Sequence, residues 1–336
     1  MKKFVLILLT LLTLGVLGGA HYLVRMARYR GFDGETFVEI PKGTSTLRIG
    51  ELLADAGVIS HPLLFPLARL TRPSAKPQAG EYQFTAAATP AEVFARLAKG
   101  DVYLVELRVP EGSNVFDIAE LVQQAGLGRA EDFVKSALRH EGFLFPSTYH
   151  FRRNSSVETV TRTMRAQFDK VWAELGAPKD QQLKTATLAS LVETEAVLAE
   201  ERAHIAGVYS NRLAKGMKLE CDPTVEYAAL LDGRWRGTIF KSDLASTNRY
   251  NTYQHAGLPP GPVANAGLAS LKAALHPAAT DDLFFVARAD HSGGHVFSTD
   301  YANHQKAVSS YRHGTRHEKA ESGSTGVAAK RKPVAR

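Results

Sequence analysis

Residues 188–213 read LASLVETEAVLAEERAHIAGVYSNRL. The stretch holds no Pro and a single Gly, and is dense in Ala, Leu and Glu, which predicts one helix of about seven turns. Wound at about 100° per residue, one face collects Leu188, Val192, Glu195, Ala199, Arg202, Ala206, Tyr209 and Leu213. Glu195 stands near the middle of that mostly apolar stripe. Its neighbour Glu193 points about 160° away, on the side of Glu200, and reads as solvated. A carboxyl pressed against apolar surface has its pKa raised, because loss of water disfavours the anion. A Glu kept protonated near neutrality serves as a general acid. The alternative is a structural ion pair between Glu195 and Arg202 further along the same face.

Lys215-Gly216 marks the end of this helix. Three restricted segments follow: LECDPTV (219–225), YNTY (250–253) and GLPPGP (257–262). They read as loops in which Pro and Gly fix the backbone while Asp, Asn, Thr and Tyr offer hydrogen bonds in set directions. Loops of this kind on a scaffold suit recognition of sugar hydroxyls, ordinary surface loops being the other reading. Asp222, Thr224, Tyr227, Asn251, Thr252 and Tyr253, with Asn211 at the end of the helix, are the candidate substrate-binding residues. A helix over 267–275 and a hairpin of 283–287 with 295–298 complete this half. His255, His276, His291, His295 and His304 fall late in the chain, but none sits in HExxH or another metal-fixing spacing. No metal or cofactor is expected. Cys221 is the only cysteine, so no internal disulfide can form, and no His at a telling distance marks it as a nucleophile.

Upstream, EGFLFPSTY (141–149) is an aromatic run too broken by Gly and Pro for a regular helix; it is core or a sugar-stacking wall. Further back the chain repeats itself. FVEIPKGT (37–44) and ELRVPEGS (106–113) lie 69 residues apart, and Pro41/Pro110, Gly43/Gly112, Ile49/Ile118, Glu51/Glu120, Leu52/Leu121, Ala56/Ala125 and Gly57/Gly126 are identical at that offset. Each copy reads as a strand, a Pro-x-Gly turn, an amphipathic helix and a Gly stop. A second helix over 61–70, a strand over 80–84 and a helix from Pro90 fill the interval. Strand, helix, helix, strand around such a turn resembles the LysM carbohydrate-binding fold, over roughly 36–105. A small spacer with no ligand is the other reading.

Phe4–Val24 carries no Lys, Arg, Asp or Glu and is long enough to span a bilayer core. Gly18-Gly19-Ala20 offers a signal-cleavage site, but the apolar run continues through Tyr22-Leu23-Val24 into basic residues, which favours an uncleaved anchor. Between Val24 and Phe37 runs a connection of about a dozen residues, at most ~45 Å when extended. Net charge is +7; removing the five cations of the amino-terminal segment and the +4 of residues 315–336 leaves the span 31–314 at −2. The basic balance therefore lies at the membrane flanks and in the tail, and does not argue for nucleic-acid binding.

In order, LASLVETEA, VYSNRL, MKLECDPTVEYA, YNTY, GLPPGPVAN, LKAALHPA and FFVA resemble the endolytic murein transglycosylases, the MltG or YceG-like group. The anchor, the LysM-like part and FLFPSTYHF fit as well, so the likeness covers about residues 1–314. It implies a lytic transglycosylase that cuts nascent peptidoglycan strands internally, leaves 1,6-anhydro ends and terminates strand elongation. It implies a single-pass protein of the inner membrane with its catalytic domain in the periplasm, beside glycan strands and peptidoglycan synthases. A single catalytic Glu is implied at the second Glu of VETE, Glu195, which the helical phase selects independently. The chain departs from the family pattern at Ser147, Ala266 and Cys221, where Asp, Pro and a small residue are usual. Two alternatives stand beside this reading: a non-enzymatic LysM-type wall anchor, and a lysozyme-like muramidase with Asp222 as second carboxylate. The expected architecture is α+β. A stub and transmembrane anchor (1–30) precede a LysM-like βααβ subdomain (31–105), then a mixed α/β catalytic domain around a central helix (106–314) and a disordered basic tail (315–336).

Overall fold

The computed structural model describes residues 2–290 and 292–322, and divides into two compact units, 1–105 and 106–336. In the first, α1 (Lys2–Arg25) precedes β1 (Thr36–Ile40), α2 (Thr46–Asp55), α3 (Leu64–Leu70), β2 (Gly80–Phe84) and α4 (Pro90–Lys99). β1 and β2 pair antiparallel with Val38 opposite Tyr82 and Ile40 opposite Gly80. Strand alternation sends Val38, Ile40, Tyr82 and Phe84 inward, against Leu53, Phe65, Phe94 and Leu97. Ser45 caps α2, and Thr89 with Glu92 forms a capping box on α4. The order strand, helix, helix, strand is the one read from the sequence.

The connection after α1 is not the free tether its length suggested. Val24 is buried in the core of this unit, Tyr29 and Ala88 exchange backbone hydrogen bonds, and the Gly31 N–H donates to the Gly57 carbonyl at 2.8 Å. Each of these contacts fixes backbone that an extended linker would leave to water.

The second unit opens with β3 (Val105–Arg108), α5 (Val115–Gln124), α6 (Ala130–Ala137) and β4 (Thr148–Phe151), and β3 pairs with β4. The repeat is therefore deeper than its identical residues: α2 and α5 start and end at equivalent positions, and both copies run strand, helix, helix, strand. Gly43 and Gly112 hold φ of 82° and 79°, and Gly57 and Gly126 both hold 69°, left-handed values that favour glycine.

Then come α7 (Val157–Leu175), α8 (Gln182–Glu195), α9 (Arg202–Ala214), α10 (Asp222–Leu231), the short α11 (Lys241–Leu244) and α12 (Leu268–Leu275). The antiparallel hairpin of β5 (Phe284–Ala287) and β6 (His295–Ser298) precedes α13 (Tyr301–Ser322). α8 is the buried centre: every residue from Thr185 to Val192 is buried, and it packs on α9, α10 and α12.

Two expectations are corrected here. The single helix over 188–213 is two helices, α8 ending at Glu195 and α9 starting at Arg202, with Ala196 extended at ψ 116° between them. The cause is an ion pair. Arg202 reaches Glu193 at 3.3 Å, whereas in one continuous helix nine residues would part them by about 13 Å on opposite faces. The segment 219–225 is only partly loop, because Asp222-Pro223 opens α10 with Pro at the helix start, where its missing N–H costs nothing. α13 ends at Ser322, and positions 323–336 of the tail read as disordered lie outside the described residues.

Candidate active site

Glu195 is the last residue of α8. The carbonyl end of a helix disfavours a further negative charge beside it. Buried Val192 lies three residues before it and buried Ala196 follows it, and the Cys221 thiol, in the residue that precedes α10, donates to its Oε1 at 3.4 Å. Tyr209, from α9, is buried at 1% exposure and belongs to the same core cluster as Cys221. Burial pushes the Glu195 carboxyl up to about 7; the Cys221 hydrogen bond opposes that rise and the charge of Asp222 adds to it. The result is a carboxyl that can hold a proton near neutrality and release it. Arg202, the sequence alternative as its partner, is engaged by Glu193 instead.

The other candidates fall into two groups. Asp222 and Tyr253 are partly exposed, and the Tyr253 hydroxyl donates to Asp222 Oδ1 at 2.7 Å. Burial raises the Asp222 pKa while that hydrogen bond restrains it. The remaining five are fastened into the scaffold. Thr224 and Thr252 are buried; Thr252 Oγ1 accepts from the Cys221 N–H at 3.0 Å, and the Thr224 hydroxyl donates to the Cys221 carbonyl at 2.6 Å. Asn251, fully buried, donates its amide to the carbonyls of Asp243, Leu244 and Ser246. Asn211 donates to the carbonyls of Thr280 and Asp282. Tyr227, at 2% exposure, packs its ring against Phe116 and Tyr250. The hydrogen bonds of Thr224, Thr252, Asn251 and Asn211 hold the start of α10 and its neighbouring loops in place.

Two acidic residues that sequence reading passed over are structural pivots. Glu193, read as solvated, has a side chain only 5% exposed; besides Arg202 it accepts from the Gly267 N–H at 2.9 Å. Glu141 is buried and accepts from the Val115 N–H at 2.8 Å and from the Asn265 amide at 2.8 Å, while burial pushes its pKa up to about 7. Asn265 also accepts from the Leu144 N–H and donates to the Ser113 carbonyl, and Ser190 on α8 accepts from the Val263 N–H. The loop GLPPGPVAN is thereby tied both to α8 and to the second repeat. The available signal was the Asn that closes PVAN and the Glu that opens the aromatic run, polar residues inside apolar stretches.

Of the late histidines, His295 pairs with Glu201 at 2.7 Å and His304 stacks on Phe284; His291 lies outside the described residues. Among the described residues no group of three or more His, Cys, Asp or Glu is placed to hold a metal ion. An open cleft of about 600 Å³ lies at the far end of α10, lined by Leu231, Asp232, Asn248, Arg249, Tyr250 and Pro260, away from Glu195 at the α10 start.

The chain has relatives among known proteins. The profile of the YceG-like family matches residues 38–310. An endolytic murein transglycosylase of Bacillus subtilis (strain 168) is 32% identical over 307 residues, covering 82% of this chain and 84% of that protein. One of Streptococcus pneumoniae (strain D39 / NCTC 7466) is 29% identical, covering 91% of this chain and 64% of that longer protein. The crystal structure of a yceG-like protein from Listeria monocytogenes superposes with a TM-score of 0.54 at 29% identity, over 82% of this chain and 99% of the other.

Proposed function

The chain belongs to the YceG-like family, and on that premise we propose that it is a lytic transglycosylase cutting peptidoglycan strands internally, with Glu195 as general acid and base. The observation that carries the proposal is the lodging of Glu195 at the end of α8, where burial raises its pKa to about 7. Protonated Glu195 gives its proton to the glycosidic oxygen between N-acetylmuramic acid and N-acetylglucosamine as the bond from C1 to that oxygen breaks. The carboxylate so formed takes the proton of the muramyl 6-hydroxyl as that oxygen closes on C1. One C–O bond breaks and one forms, Glu195 ends protonated, and no water is consumed. Most glycosidases need a second carboxylate. An internal nucleophile of high effective molarity makes one dispensable.

Asp222, whose charge acts on Glu195, supports the muramidase alternative. A hydrolase leaves a reducing end, whereas the proposed reaction leaves a 1,6-anhydro end lighter by one water. Mass spectrometry of ends released from purified strands separates the two; reducing ends alone would reject the lyase. A purely glycan-binding role for the first unit, supported by its strand, helix, helix, strand order, would leave Glu195 without a task. Helix α1, at mean hydropathy 2.1 the one candidate span among the described residues, supports a single-pass anchor in the inner membrane with the body in the periplasm, where strands are made and terminated.

A further inference from the structure

Helix α3 is apolar on two faces. Leu64, Phe65 and Ala68 are buried in the first unit's core, while Leu63, Leu67 and Leu70 are 54%, 37% and 72% exposed. Those three, spaced four and three apart, form one stripe, since Leu63 already has helical backbone at φ −68° and ψ −16°. Only Arg69, which donates to the Thr46 hydroxyl, interrupts the apolar character of α3; a second apolar face belongs against protein or lipid, and in this unit it meets no protein.

What lies beside it says what covers it. The end of α1 packs on α3 and α4, and Val24 sits in the same core. Along that end the partly or fully buried positions are Ala20, Val24 and Ala27, again four and three apart. Ala20 and Val24 belong to the apolar run Phe4–Val24, so α3 packs on α1 at the depth where the span leaves the bilayer. The chain beyond the stripe carries exposed Arg72 and Lys76, and no Asp or Glu occurs from residue 56 to 80. Leucines followed in the chain by two exposed cations and no acid suit an interface of acyl chains and anionic headgroups.

We infer that Leu63, Leu67 and Leu70 form a membrane-docking face that seats the first unit on the outer leaflet of the bilayer crossed by α1. The inference rests on α1 being a membrane span. Docking holds the unit in one orientation on the surface, where the span alone would carry the unit with it as it tilts in the bilayer.

The test uses the full chain in phosphatidylethanolamine–phosphatidylglycerol vesicles containing brominated lipid, with Leu67→Trp, Leu70→Trp and Leu12→Trp as probes and the parent's Trp172 and Trp235 as background. An apolar face sunk roughly 5–10 Å into the headgroup boundary comes within reach of bromines placed high on the acyl chain, so roughly half of the added indole emission at 67 and 70 is lost. Bromines placed low on the chain quench Leu12→Trp more strongly. Quenching of Leu12→Trp with none at 67 or 70 overturns the docking face and leaves the span standing. A blue shift at 67 and 70 without quenching means that protein covers the stripe, and overturns it too. Absence of quenching at all three positions rejects the span, and the docking face with it.

Discussion

Replacing Glu195 by Gln keeps the side chain's volume and removes the proton that titrates near 7, so glycan cleavage should fall by orders of magnitude while the fold persists. Stability gives an independent reading. The folded pKa lies above the ordinary 4.5, so the contribution of this group is fully present below that value and is lost as pH rises through about 7. Glu195→Gln should therefore match the parent at about pH 4 and exceed it by on the order of 1–2 kcal/mol at about pH 8, by thermal unfolding at both. Cleavage by the parent should fall as pH rises past about 7, where the general acid is spent. Cys221→Ala removes the donor that opposes the rise, so that limb should move to higher pH, and Cys221→Ser should restore it. An unmoved profile would show the thiol to be filler. Glu193 should answer differently. Glu193→Ala leaves Arg202 with an uncompensated charge and Gly267 without an acceptor, and should cost about 3 kcal/mol, seen as a Tm lower by roughly 10 °C. The helical phase picks out Glu195 because the apolar stripe runs through it, and in the fold Leu188, Val192, Ala206 and Tyr209 still share one core. Glu193 was misread because its partner nine residues on is reachable only if the helix breaks. No Gly or Pro announces that break in Ala196-Val197-Leu198.

The two repeats offer a matched pair of elements. Gly57 and Gly126 end equivalent helices with the same φ of 69°, so an Ala at either carries the same left-handed penalty of about 1–2 kcal/mol. Their surroundings differ. A Cβ at Gly126 meets nothing within 4 Å, whereas one at Gly57 would lie 2.6 Å from the Gly31 carbonyl oxygen, on the segment that follows α1. Gly57→Ala should thus cost roughly 1–3 kcal/mol more than Gly126→Ala in chemical denaturation, because backbone must move to admit the methyl. Equal costs would mean that the segment following α1 yields freely. The repeat shows how far sequence reaches: Pro-x-Gly and the closing Gly carry turn chemistry local enough to read directly. What escaped is long-range. Asn265 serves Ser113, Glu141 and Leu144 from more than a hundred residues away, and nothing adjacent in the chain reports such partners. Likewise the hydrogen-bonding residues of YNTY and DPT were legible as important. Whether they faced outward or inward depended on each other, since Thr224 and Thr252 find their partners in the opposite segment.

At the scale of the whole molecule, the amino-terminal segment proposed as the anchor is also part of the core. Val24, at 3% exposure, contributes to the first unit what any buried aliphatic does, about 2 kcal/mol. A soluble version beginning at Gly31 loses it along with the Tyr29–Ala88 bridge, so weak activity in such a protein would report damage and not release from the membrane. A version beginning at Ala20 keeps Ala20, Val24 and Ala27 in place and discards most of the span, which makes it the proper comparison. It should melt higher than the Gly31 version and cut purified strands as fast as the full chain. In cells the two should part. An anchored enzyme meets newly made glycan at the membrane surface at a raised local concentration and rarely meets distant wall, whereas a soluble one samples both. At matched abundance outside the cytoplasm, with the Ala20 version exported behind a cleaved signal peptide, the full chain should therefore shorten new strands and the Ala20 version should leave them longer, measured by the length distribution of isolated glycan. If both restrict strand length equally, attachment has no part in choosing where a strand ends, and α1 serves only to keep the protein in its compartment.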